Sequence, residues 1–129
     1  DVESNAAALR VLELEKEPIP GRFDFAHLQK IHEHLLQDIY DWAGELRSAD
    51  TTAMGIPHCR AAFLPQEVDR VFAEIANNPL STPDRTAAVD TAASHWQELT
   101  LLHPFRDGNS RSQRVFIDNM LDDAGWQVD

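Results

Sequence analysis

Prolines constrain this chain more than any other feature. Seven of them, Pro18, Pro20, Pro57, Pro65, Pro79, Pro83 and Pro104, stand between stretches of helical rhythm, and a proline cannot sit inside a helix without removing a hydrogen bond and clashing with the preceding turn. Residues 2 to 16 read as a first helix with Ala8, Leu9 and Leu12 on one side, closed by Pro18, Pro20 and Gly21. Asp24 is placed to cap a second helix, whose apolar positions Leu28, Ile31, Leu35, Ile39 and Trp42 recur at helical spacing, with Gly44 as the residue past its end. Residues 48 to 64 lose the period: Thr51, Thr52, Gly55 and Pro57 read, on pattern alone, as a connecting loop. Pro65 opens a third helix with Val68, Val71, Phe72 and Ile75 inward, ended by Asn78-Pro79. Thr82-Pro83 starts a fourth, lined by Val89, Ala92, Ala93, Trp96 and Leu99. In a fifth, Phe116, Ile117, Met120, Leu121 and Ala124 face inward. The expectation is an all-α bundle forming one domain over residues 1–129.

Between the last two helices lie His103, Pro104, Phe105, Arg106, Asp107, Gly108, Asn109, Ser110, Arg111, Ser112, Gln113 and Arg114. A loop that runs into a helix N-terminus binds anions, because the first amides have no intrahelical acceptor and the dipole favours negative charge there. Arg111 and Arg114 stand three apart and so share one face of the helix's first turn, and two guanidiniums suit a polyphosphate better than one carboxylate. Asp107 would repel that phosphate unless a divalent cation lay between them, which implies Mg²⁺ held by one carboxylate and the phosphates. His103 titrates near operating pH and can take a proton from an attacking hydroxyl. The Asn109 amide can donate to a phosphoryl oxygen. Together these residues predict nucleotide-dependent transfer to a hydroxyl.

The same twelve residues resemble the Fic-family motif, His-x-Phe-x-Asp/Glu-Gly-Asn-Gly-Arg-x-x-Arg. They match at His103, Phe105, Asp107, Gly108, Asn109, Arg111 and Arg114, and depart at Ser110, where the family most often has glycine. Serine adds a Cβ and restricts φ at that point, and its hydroxyl could add a phosphate donor or a helix cap. The stretch from Phe23 to Arg47, which includes HLQKIHEHLLQDIYDWAGELR, is similar to the segment that Fic proteins place ahead of the active site. The resemblance implies that residues 47–64 form a small β-hairpin flap, which aligns a target chain by strand addition. It implies a protein adenylyltransferase that moves AMP from ATP to a Ser, Thr or Tyr hydroxyl of a target protein. His103 would then be the base, Asp107 would hold Mg²⁺ on the α- and β-phosphates, and Gly108, Asn109 and Ser110 would form the anion hole. Arg111 and Arg114 would grip the β- and γ-phosphates. Alternatives that keep the fold are UMP or phosphocholine transfer, Doc-like phosphate transfer (that branch usually has lysine in place of Ser110), or an inactive nucleotide-binding module. A purely helical interaction domain leaves residues 103–114 unexplained.

Many Fic proteins carry an inhibitory Ser/Thr-x-x-x-Glu-Gly/Asn helix. Here only Ser94 to Glu98, followed by Leu99, comes near that pattern. The inhibitor is therefore expected on a separate antitoxin-like protein or on sequence outside this chain, and the alternative is an uninhibited enzyme. Net charge of −11 argues against a nucleic-acid partner. No apolar run is long enough to cross a membrane, and the start has no signal-peptide layout. A single cysteine, Cys59, excludes an internal disulfide and fits a cytoplasmic setting, or delivery to a host cytoplasm if the chain is an effector fragment. Asp1 in place of methionine reads as a processed, trimmed or excised piece. His27, His32 and His34 lack the i, i+4 spacing of helical metal pairs, so they read as structural or surface residues, as do His58 and His95. Pro104 and Phe105 read as anchors of the loop, and Trp42, Trp96 and Trp126 as core.

Overall fold

A computed structural model describes residues 2–127. Five helices carry the fold: α1 (Val2–Lys16), α2 (Phe25–Leu36), α3 (Leu64–Asn77), α4 (Arg85–Leu102) and α5 (Asn109–Asp123). Between α2 and α3 lie two short strands, β1 (Thr52–Ala53) and β2 (Ile56–Pro57), and one 3-10 turn, Ala61–Phe63. The strands pair antiparallel, Thr52 opposite Pro57 and Ala53 opposite Ile56. Met54 and Gly55 turn between them with φ of 53° and 80°, the double positive φ that matches a tight hairpin to strand twist. The flap that the family resemblance implied is therefore present, in minimal form.

Helix α2 packs on α1 and α5, and α4 joins α5 to α3. Leu28, Ile31, Leu35 and Leu36 of α2 meet Phe116 of α5 and Phe105 of the α4–α5 loop, all 1% exposed or less. Asp24 caps α2 as expected, its Oδ1 accepting the His27 N–H at 3.0 Å. The α3 stripe Val68, Val71, Phe72 and Ile75 is buried, as are Phe116, Ile117 and Met120 of α5.

Three helical expectations are corrected. In α1 Ala7 and Leu14 are buried and Val11 is partly buried beside them, while Leu9 and Leu12 are 65% and 53% exposed. The sequence carries two adjacent apolar stripes, and the Arg10–Asp38 ion pair (2.8 Å) and the His34–Glu13 hydrogen bond (3.0 Å) accompany the turn of the first of them toward α2. In α4 the inner face is Ala88, Ala92, His95, Leu99 and Leu102, one step round from the expected one, leaving Val89 and Trp96 exposed. His95 belongs to that face because its Nε2 bonds the Asn78 carbonyl at 2.9 Å. This helix also begins two residues later than expected, where Asp84 accepts the Thr86 N–H.

Helix α2 stops at Leu36, short of Trp42. The Leu36 carbonyl accepts the N–H groups of both Ile39 and Tyr40, and the chain doubles back along the helix. Gly44 is thus a left-handed turn (φ 87°) docked on the side of α2, its N–H on His32 Nδ1 at 2.8 Å and its carbonyl on Gln29. That fold-back stacks Trp42 between Tyr40 and the Arg106 guanidinium, half-buried rather than in the core.

Candidate active site

Helix α4 ends on His103, which caps it in the left-handed region at φ 46° and ψ 63°. A histidine tolerates that region better than most residues, and such backbone strain collects where function over-determines geometry. Pro104 blocks any continuation of the helix. Phe105 then drops into the core at 0% exposure and stacks on His32 with ring centroids 3.8 Å apart. Both nitrogens of His32 are engaged, Nδ1 by the Gly44 N–H and Nε2 by the Asp107 carbonyl at 2.7 Å. His27 is likewise satisfied by Phe23 and Ile19.

The side chain of Asn109 closes the loop on itself. Its Oδ1 accepts the Phe105 N–H at 2.9 Å and its Nδ2 donates to the Phe105 carbonyl at 2.7 Å. The amide expected to meet a phosphoryl oxygen is therefore already engaged and buried, and Asn109 can face an anion only through its backbone N–H. Helix α5 starts here, and the first N–H of its ladder is that of Ser112, bonded to the Gly108 carbonyl. The amides of Asn109, Ser110 and Arg111 precede it and have no intrahelical acceptor. Ser110 lies within the helix, so its backbone position requires no glycine.

The glycine requirement falls on Gly108. It caps α5 at φ 74°, and a Cβ there would lie 2.3 Å from Leu36 Cδ1. Leu36 is 1% exposed and has little room to yield. Gly108→Ala is accordingly expected to destabilise the chain by about 2–4 kcal/mol, combining left-handed strain with overpacking. Urea midpoints of the two proteins measure this, and an unchanged midpoint would contradict it.

A cavity of ≈ 650 Å³ joins His103, Asp107, Gly108, Asn109, Ser110 and Arg111, with Ser4, Ala53, His58, Trp96, Thr100 and Gln113 completing the wall. The His103 imidazole is pushed down to about 4, first by burial, then by the like charges of His58 and Arg47, with Asp107 partly opposing them. It is therefore neutral at physiological pH and able to accept a proton. Asp107 is exposed; its Oδ1 accepts the Gly108 N–H (2.8 Å) and its Oδ2 the Tyr40 hydroxyl (3.0 Å). A carboxylate so held still has lone pairs directed outward. The Arg111 side chain reaches Ser4 Oγ at 3.2 Å. Arg114 does not line this cavity. It faces a neighbouring groove of ≈ 700 Å³ between α1 and α5, its Nε 3.7 Å from Asp118 Oδ2 and its side chain 69% exposed. Ser110 and Arg111 border both spaces.

Two residues of this site carry no mark in the spacing. Arg47, 6% exposed, donates to the carbonyls of Ala49, Cys59, Leu102 and His103, so one guanidinium ties both stems of the flap to the end of α4. His58, read from sequence as structural, lies ring to ring against His103. Trp96, expected in the core, stands on the cavity wall instead. Only the three-dimensional path of the flap brings these groups together.

A family model described as Fic/DOC family matches residues 22–121. Among curated proteins, the chain is 35% identical over 117 residues to the probable protein adenylyltransferase y4lH of Sinorhizobium fredii, covering 88% of this chain and 61% of that one. It is 33% identical over 129 residues to the protein adenylyltransferase VbhT of Bartonella schoenbuchensis, covering 99% of this chain and 27% of VbhT. The chain thus spans less than two thirds of either relative. Among solved structures, it superposes with a TM-score of 0.91 and 27% identity on the N-terminal Fic domain of a Bep effector from Bartonella quintana with bound ADP, covering 98% of this chain and 67% of that one. It matches BepC of Bartonella tribocorum with bound AMPPNP at a TM-score of 0.84 and 25% identity, covering 98% and 68%.

Proposed function

The chain belongs to the Fic/DOC family, and from that premise we propose that it is a protein adenylyltransferase, moving AMP from ATP to a Ser, Thr or Tyr hydroxyl of a target protein. One observation carries the reading. A neutral, half-buried imidazole and the open N-terminus of a 15-residue helix face a single cavity. The relatives named as adenylyltransferases and the structures with ADP or AMPPNP support it.

His103 takes the proton of the target hydroxyl as that oxygen bonds the α-phosphorus. The bond from the α-phosphorus to the oxygen bridging the β-phosphate breaks, and pyrophosphate leaves. The backbone amides of Asn109, Ser110 and Arg111 receive phosphate oxygens, as the anion hole that begins at Gly108, and the Arg111 guanidinium adds charge beside them. Arg114, one turn further along α5, takes the outermost phosphate when its weak, exposed pair with Asp118 opens. Among the described residues, Asp107 is the one carboxylate in the cavity wall. Mg²⁺ would be held by Asp107 together with ATP oxygens and water. When bound, the ion would neutralise phosphate charge.

Restraint of the enzyme is assigned to a separate antitoxin-like partner or to sequence outside this chain. The internal candidate, Glu98, fits that role poorly, since it is paired with Arg70 at 3.0 Å. The proposed setting is a cytoplasm, its own or a host's. No helix among the described residues is long and apolar enough to cross a membrane.

Lysate proteins incubated with the chain and ATP labelled at the α-phosphorus are expected to retain the label covalently. Label retained only from the γ-position would show phosphate transfer and overturn the assignment, as would a preference for UTP.

A further inference from the structure

We infer that His58, carried by the flap, is a positioning residue for His103: its ring lies flat on the His103 ring and fixes the plane in which that imidazole faces the cavity. The inference rests on His103 being the base, as proposed above. The two ring centroids are 3.8 Å apart and the planes differ by 4°. Catalytic histidines are usually oriented by a third group that hydrogen-bonds the second ring nitrogen. Here that group is missing: among the described residues, neither ring nitrogen of His103 hydrogen-bonds a protein group. What touches the imidazole face is His58.

His58 is itself held from behind. Its Nδ1 lies 2.8 Å from the Thr51 hydroxyl, and its backbone N–H bonds the Thr51 carbonyl at 3.1 Å. Thr51 and His58 flank the hairpin on its two sides, so the stacked ring is part of the flap's own closure. The flap stem is fastened in turn to α4, where the Cys59 N–H bonds the Leu101 carbonyl at 2.9 Å. The base is therefore shared between two elements, with His103 on the end of α4 and its orienting surface on the hairpin. A flat aromatic face is what the role requires, and a second imidazole nitrogen is not.

This separates two variants. His58→Ala removes the face, and His58→Phe keeps it without a titratable group. His58 is half-buried at the surface, so each variant is expected to fold, which thermal midpoints check. For His58→Ala the turnover number of adenylyl transfer should drop by about 10–100-fold, the range that a small misplacement of a reacting group produces. Its KM for ATP should stay unchanged, and His58→Phe should recover most of the turnover. Full activity in His58→Ala, failure of His58→Phe to recover, or a loss confined to the KM for the target protein would each overturn the inference. A second readout does not need activity. The ring protons of His103 should show an upfield ring-current shift by NMR in the native chain and in His58→Phe, and lose it in His58→Ala. If the native chain transfers no AMP, the adenylyltransferase reading fails, and the NMR signature alone decides whether the stack exists.

Discussion

If His103 is the base of the proposed transfer, replacing it with alanine should abolish detectable transfer and leave ATP binding intact. General-base catalysis contributes roughly 10²–10⁴-fold, equivalent to about 3–5.5 kcal/mol of barrier. On the proposed reading, nucleotide affinity resides elsewhere, in the amides at the start of α5 and the Arg111 guanidinium, none of which hydrogen-bonds the imidazole. The fold should survive, because the ring is half-buried and touches the flap surface rather than the core. The companion measurement is the pH profile of the native chain. A histidine serves as base only when unprotonated, so activity is present above its pKa and lost below it. An ordinary imidazole would lose half its activity near pH 6.5. Burial, His58 and Arg47 hold His103 down at about 4, so turnover should stay level as pH falls from 8 to 5 and decline only near 4. Normal labelling by His103→Ala would remove His103 from the mechanism. An acid limb centred near 6.5 would show that the imidazole is not held in the environment described.

What the sequence revealed and what it withheld divide by distance along the chain. The order of elements from His103 through Asp107 to Arg111 was legible because twelve consecutive residues fix their own spacing, whatever the rest of the fold does. The five helices were legible for a similar reason, since the prolines and Asp24 act within a turn of where they stand. Helix faces were harder. In α1 and α4 two apolar stripes lie side by side, and the choice depends on partners such as Asp38 and Asn78 that the local pattern does not contain. The same limit hid the end of α2, where Trp42 keeps the helical period although the chain has already turned back on His32. Within the site, Asn109 shows that a residue can fit a motif while its side chain serves the loop, leaving only the backbone to face a ligand. Arg114 shows the converse, a matching residue that the fold places in the adjoining groove.

Loss of Arg47 should damage the fold severely. The residue is a cation at 6% exposure with no carboxylate paired to it among the described residues. Its compensation is four carbonyls, two of which, Leu102 and His103, end α4. A helix C-terminus carries partial negative charge and unpaired carbonyls, so a buried guanidinium there is stabilised by dipole and hydrogen bond together. Burial lowers the pKa of the group, but guanidinium stays charged throughout the accessible range. Replacing a buried ion pair by apolar residues can be neutral when both partners are removed. Arg47→Met removes only the donors and leaves the carbonyls of Ala49, Cys59, Leu102 and His103 unpaired in place. Each such orphan costs about 1–3 kcal/mol. Allowing for solvent reaching the flap stems, the expected loss is about 3–5 kcal/mol, a large share of the 5–15 kcal/mol typical of a domain. Arg47→Lys keeps the charge and reaches fewer of the four acceptors, so its loss should fall between native and Met. Hydrogen exchange in the lysine variant should quicken first at His58 and Cys59, whose amides bond Thr51 and Leu101 across the flap stem, before the α2–α5 core responds. A urea midpoint for Arg47→Met equal to the native one would show that the flap is held by its own hairpin and that the guanidinium is dispensable.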